Sequence, residues 1–136
     1  MGEALSRCVI LCFLAILIAA EVSPVNISFR QFLYLTLAAT GLCVTWYFNF
    51  RFMAETGAGF DLVAFVKGGY ANSAATSLSN DLLVGCATFL VFSFIEARRL
   101  GMRHWWAWPV LTFGVAFAFA FPLFLFFRDR RLGEPG

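Results

Sequence analysis

Four apolar stretches, separated by short polar or glycine-rich ones, set the plan of this chain. The first runs from Cys8 to Ala20. It is shorter than the ~20 residues that an upright membrane helix needs. Extended to Val25 it makes a short span or anchor. Read with "IAA" before Glu21, it also resembles the core of a cleaved signal peptide. The second stretch, Gln31 to Met53, has full spanning length, with Trp46 and Tyr47 as an interfacial aromatic anchor near its exit. The third, Leu82 to Ile95, lies between two carboxylates, Asp81 and Glu96. It reaches spanning length only when extended outwards to Ser77 and Arg99. The fourth, Trp105 to Phe127, reads as another full span that opens on a Trp cluster and ends at "RDRR".

Between the second and third stretches, Gly57, Gly59, Gly68 and Gly69 punctuate the chain. The run "FDLVAFV" is too short to span and predicts an interfacial or re-entrant helix, with Phe60, Val63 and Ala64 on one face. Asn72 to Asn80 is polar and reads as a loop or a helix start. In the fourth stretch, "FGVAFAFAF" alternates large and small residues like a strand. A lone strand cannot satisfy its backbone in lipid, so a helix is the better reading. On a helix, Phe113, Phe117 and Phe121 stack, and Gly114/Ala118 and Ala116/Ala120 form small pairs that admit a neighbouring helix. Pro122 predicts a kink in the last turn.

The expected fold is therefore all-α: a polytopic transmembrane helix bundle. Residues 1–30 form an N-terminal hydrophobic segment, 31–132 hold three core spans, and 133–136 are a tail. This threading puts Arg30, Arg98, Arg99 and Arg103 on one face of the membrane. It puts Arg51, Lys67, Arg128, Arg130 and Arg131 on the other. So even a split does not orient the protein by the positive-inside rule; a cytoplasmic C-terminus is the adopted expectation.

Composition supports lipid as the solvent. The chain is 61% hydrophobic and 13% charged, against about 45–50% and 25% in soluble domains. Its 18 Phe residues exceed what a chain of 136 residues can hide from water. A net charge of +2 argues against a nucleic-acid partner. Cys8, Cys12, Cys43 and Cys86 form no Cys-x-x-Cys pair and read as small buried hydrophobes. His104 is the only histidine, which excludes a bis-His haem or a multi-His metal site within one chain. No cofactor or metal is expected. "MGEALS" fits a myristoylation signal that the following apolar run makes unnecessary, and "NIS" at Asn26 is a glycosylation triplet of low specificity.

Asp81 and Glu96 are the two candidates for chemistry. On one helix they stand about 22 Å apart. Proton transfer works over roughly 3 Å, so they are not one acid/base couple. Asp81 lies near a helix start, where the macrodipole favours an anion and Ser77, Ser79 and Asn80 can cap. Its expected surroundings are Arg51 and Arg128 as ion-pair partners and Asn49, Asn72 and Asn80 as a polar pocket. Either an ion pair or a proton donor fits it. Glu96 lies near a helix end, where the dipole disfavours an anion. Arg99 at i+3, Arg30 and Arg103 are the candidate partners. No phosphate loop, nucleophile elbow or zinc motif is present.

"YANSAATSLSNDLLV", "EARRLGMR" and "FAFPLFLFFRDRRL" together resemble a family of small bacterial membrane proteins of unknown function, some labelled terpene cyclase. The shared positions are Asn72, Asp81, Glu96, Arg98, Arg99, Pro122, Leu123, Phe124, Leu125 and Arg128. The resemblance implies a multi-pass inner-membrane protein. It also implies, as an alternative, an isoprenoid cyclase that uses Asp81 or Glu96 as its acid, with aromatic rings stabilising a carbocation. Three functions follow. The first is a membrane component that packs with itself or a larger complex through its Phe/Ala face. The second is an enzyme on an isoprenoid or other lipid. The third is a small-solute transporter.

Overall fold

The computed structural model describes residues 27–57 and 59–133. All of the regular structure in these residues is helical: α1 (Phe29–Thr56), α2 (Leu62–Gly69), α3 (Ser73–Arg99), α4 (Ala107–Gly114) and α5 (Phe117–Gly133). The first apolar stretch, with Cys8 and Cys12, lies outside the described residues.

α1 begins at a capping box. Ser28 Oγ accepts from Gln31 N at 3.3 Å, and Gln31 Oε1 accepts from Ser28 N at 3.2 Å. It ends at Gly57, whose φ of 68° suits a residue without a Cβ. α3 starts at Asn72, whose side chain accepts from Ala75 N at 2.9 Å. Both helices are long and apolar enough to cross a bilayer. Only 17% and 11% of their apolar windows are buried, whereas a helix in a soluble core is mostly buried. Tyr47, Phe48, Leu78, Leu83 and Val84 project outwards. Cys43 is exposed and Cys86 half-buried, so these two thiols are not the buried hydrophobes expected.

The short run after Gly59 folds as the expected short helix, α2. Asp61 caps it, accepting from Val63 N and Ala64 N at 2.9 and 3.0 Å. It rests on the start of α3, where Ser79 Oγ donates to the Gly69 carbonyl at 2.8 Å. Phe60 and Phe65 close against Phe52 of α1.

The fourth stretch is not one span. The Trp108 ring lies 5.0 Å from Phe124 and 5.9 Å from Phe127. On one straight helix Trp108 and Phe124 would be about 24 Å apart. α4 and α5 are instead the two arms of a helical hairpin. The reversal lies at Val115–Ala116, upstream of Pro122. There the N–H groups of Val115 and Ala116 both donate to the Leu111 carbonyl, at 3.0 and 3.1 Å, and the i−4 ladder stops. Ala116 is the buried small residue at this reversal. The expected Phe stack divides accordingly. Phe117 and Phe121 stack, with an interplanar angle of 8°, while Phe113 points outwards from the other arm.

α5 is the centre of the bundle, with Phe119, Ala120, Leu123 and Phe124 buried. Phe89 of α3 meets Phe117, Phe121 and Phe124. α1 crosses α5 where Gly41 faces Ala118, and a Cβ on Gly41 would overlap the Ala118 carbonyl oxygen. The small residues expected to admit a neighbour do so at Ala116, Ala118 and Ala120, while Gly114 has open space around it. Arg30 pairs with Asp129 at 2.6 Å, so α5 runs antiparallel to α1. It runs parallel to α3 and ends where α3 ends. The even split of basic residues is thereby overturned. Arg128, Arg130 and Arg131 join Arg30, Arg98, Arg99 and Arg103 at one end of the bundle, and Arg51 and Lys67 remain at the other.

Candidate functional site

The arginine-rich end holds a polar cluster built on Glu96. Glu96 is 6% exposed, in the last turn of α3. Arg99 forms a fork on it: Nε donates to Oε2 and Nη2 to Oε1, each at 2.7 Å. Arg128 Nε donates to Oε1, also at 2.7 Å. Such short charge-assisted bonds are the strong kind, and the fork fixes orientation as well as distance. They offset both the burial of the carboxylate and its position at the unfavourable end of the helix dipole.

Arg99 is therefore the Glu96 partner that i+3 spacing predicts, but the other two partners differ. Arg30 binds Asp129, and Arg103 lies at the rim of a cavity. Arg128, expected beside Asp81, is carried to Glu96 by the hairpin. Arg98 completes this end by lying over the rings of Phe94 and Trp105, at 4.7 and 5.5 Å.

The residues expected around Asp81 do not converge on it. Asp81 is exposed on α3 and makes no side-chain hydrogen bond or ion pair among the described residues. Asn72 caps α3, Asn80 accepts from the Tyr70 hydroxyl at 3.3 Å, and Arg51 pairs with Glu55 at 3.0 Å. Asn49 is half-buried on α1.

A cavity of about 670 Å³ lies at the arginine-rich end, between the hairpin arms and the turn that follows α3. Its floor is Met102, Ala107, Trp108, Leu111, Leu123 and Phe127. Arg103, His104, Arg130 and Arg131 line it as well. Trp108 is buried in this wall. Its carbonyl accepts from Thr112 Oγ1 at 2.7 Å, and its indole N–H has no acceptor among the described residues. Sequence reasoning missed this site, along with Asp129 and Gly41. "RDRR" was legible as a basic helix end, but which end of the bundle it reaches depends on the reversal at Val115.

The sequence model of a family described as "Protein of unknown function DUF2834" matches residues 33–130. That range holds α1 nearly whole, α2, α3, α4 and most of α5, and with them Glu96, Arg99 and Arg128. Comparison with curated proteins and with solved structures gives no match.

Proposed function

The chain belongs to the DUF2834 family, whose function is unknown, and from that premise we propose that it is a multi-pass component of a cell's inner membrane with a structural rather than catalytic role. In this reading α1 and α3 cross the bilayer. The hairpin of α4 and α5 enters from the arginine-rich face, turns near the level of Gly41 and returns to the same face. One observation carries the proposal: the return of α5 gathers every arginine of the described residues except Arg51 at one end. By the positive-inside rule that end, with the C-terminus of α5, is cytoplasmic. The outward apolar faces of α1 and α3 meet lipid, a second copy or a larger membrane complex.

Labelling tests the topology. Single cysteines at Arg103, Leu132 and Thr56, in a chain with Cys8, Cys12, Cys43 and Cys86 replaced by serine, are exposed to a membrane-impermeant maleimide in intact cells and in inverted vesicles. Positions 103 and 132 are expected to react only in inverted vesicles, and position 56 only in intact cells. A label at 132 from the side opposite to 103 restores the threading with three full spans.

The enzyme reading, with a carboxylate acid acting on an isoprenoid, keeps one residue in play. An acid must present a proton to its substrate. Both Glu96 oxygens already accept guanidinium N–H donors, which favours a clamp over an acid. Among the described residues, Asp81 has no such partners. The comparison is Asp81→Asn against Glu96→Gln, read as membrane accumulation and as the lipid extract of expressing cells. Asp81→Asn is expected to change neither, and Glu96→Gln to lower accumulation. Normal accumulation of Asp81→Asn with a lipid product lost would establish the enzyme instead.

A further inference from the structure

We propose that the protein pairs with a second copy of itself in the membrane, α3 against α3, along a seam centred on Asp81. The inference rests on the membrane reading above and names the occupant of one outward face of α3.

Two observations point the same way. The first is spacing. Ala74, Asp81, Thr88 and Ile95 recur every seven residues along α3, with Ser77, Val84 and Val91 between them. Each of these is exposed, so the seam is continuous over most of the helix. On the other side of the helix, Ser79 and Cys86 are half-buried and Ser93 is buried. That side faces the protein's own bundle. A seven-residue repeat is the contact line of two helices wound round each other. The outward side of α3 therefore has the geometry of one member of a helix pair.

The second is the chemistry of that seam. Asp81 is the one charged residue between Ser73 and Ile95. It stands about 22 Å from Glu96 along α3. With Glu96 at the arginine-rich boundary, Asp81 lies within the ~30 Å hydrocarbon layer. Asp81 and Ser77 make no side-chain hydrogen bond among the described residues. Asn80 uses its side-chain oxygen, which accepts from the Tyr70 hydroxyl, and its amide N–H groups have no acceptor among these residues. Lipid offers none of these groups a partner, and polar side chains within a span face protein instead. A second copy serves all three. In seam packing, the side chain at 81 enters the hole formed by residues 77, 80, 81 and 84 of the facing helix. The carboxyl oxygens of Asp81 accept, and the Ser77 hydroxyl and Asn80 amide of the second copy donate. Chains inserted the same way hold their α3 helices parallel, so a two-fold axis along the membrane normal repeats the match. A polar side chain at one seam position also fixes the register of the pair. A purely apolar face would take any neighbour, whereas this one is complementary to itself.

Disulfide cross-linking of the full-length protein in membranes tests the seam. In the chain with its four cysteines replaced by serine, single changes Ser77→Cys, Val84→Cys and Thr88→Cys are expected to give a linked dimer on oxidation. Leu82→Cys and Leu83→Cys are expected to give none, although Leu82 and Leu83 are as exposed as Val84, at 56%, 64% and 64%. Energy transfer between fluorescently labelled copies, diluted in phosphatidylcholine vesicles, then reads the affinity. Asp81→Leu is expected to weaken pairing about tenfold, because both copies lose their bonds. Asp81→Asn keeps a side-chain acceptor and is expected to hold the affinity within about threefold. Equal linking at all five positions overturns the proposal, as does linking at none or only to a protein of another mass. So does an Asp81→Leu variant that separates at the same dilution as wild type. These failures, with the labelling pattern intact, sink the α3 seam only. Labels at 56 and 103 from one side of the membrane would mean that α3 does not cross, and sink the membrane reading with it.

Discussion

Glu96→Ala is expected to destabilise the protein by about 3 kcal/mol, from the lower end of the range for removing one partner of a buried ion pair. The lower end applies because the guanidiniums reach solvent: the side chains of Arg99 and Arg128 are 59% and 32% exposed. Of the two, Arg128 matters more to the fold. Its bond to Glu96 is the ion pair that ties the end of α5 to the end of α3, whereas Arg99 and Glu96 share a helix. A double-mutant cycle separates the terms. Arg128→Met alone leaves Glu96 buried with one partner, and Glu96→Ala with Arg128→Met is expected to cost less than the two single changes added, by about 1–3 kcal/mol. Thermal unfolding in detergent reads each value. Additive losses would mean that Glu96 and Arg128 do not hold each other.

Gly41→Ala is expected to cost about 2–3 kcal/mol, the upper part of the range for overpacking. The atom that a new methyl group meets is the Ala118 carbonyl oxygen, which is backbone and cannot rotate aside. That carbonyl is unusual. Pro122, four residues on, has no N–H to give it, so it lacks the usual i+4 donor. The bare backbone of Gly41 lets α1 approach at that point, an approach typical of helix pairs joined through Cα–H···O contacts. Gly85 provides the control. A Cβ there meets nothing within 4 Å, so Gly85→Ala should be neutral or stabilising by roughly 0.5–1 kcal/mol. Equal effects at 41 and 85 would show that α1 does not depend on this crossing.

Much of this architecture is visible in the chain. The all-helical class, the two long apolar helices and the short helix before Tyr70 follow from periodicity and end signals that act within a few residues. The start of α3 does not: Ser77, Ser79 and Asn80, expected to cap it, lie inside the helix that Asn72 caps. The Glu96–Arg99 bond belongs with the legible features, because i+3 spacing places both side chains on one face whatever surrounds them. The candidate site is less visible. The chain alone places Arg128 beside Asp81 and does not bring the cavity lining together. Both depend on where the fourth stretch turns.

By itself, then, the sequence determined the all-helical class, the two long apolar helices and the local ion pair, since each is decided by residues within one or two turns. The tertiary structure alone decided the reversal at Val115–Ala116, the pairing of Glu96 with Arg128, the fit of Gly41 to Ala118 and the cavity between the arms. The physical reason is that a hairpin inside an apolar bundle carries no polar turn to announce it. Gly114, Val115 and Ala116 suit the middle of a long apolar helix as well as a bend. Only the packing of Trp108 on Phe124 and Phe127, and of α5 between α1 and α3, selects the bend.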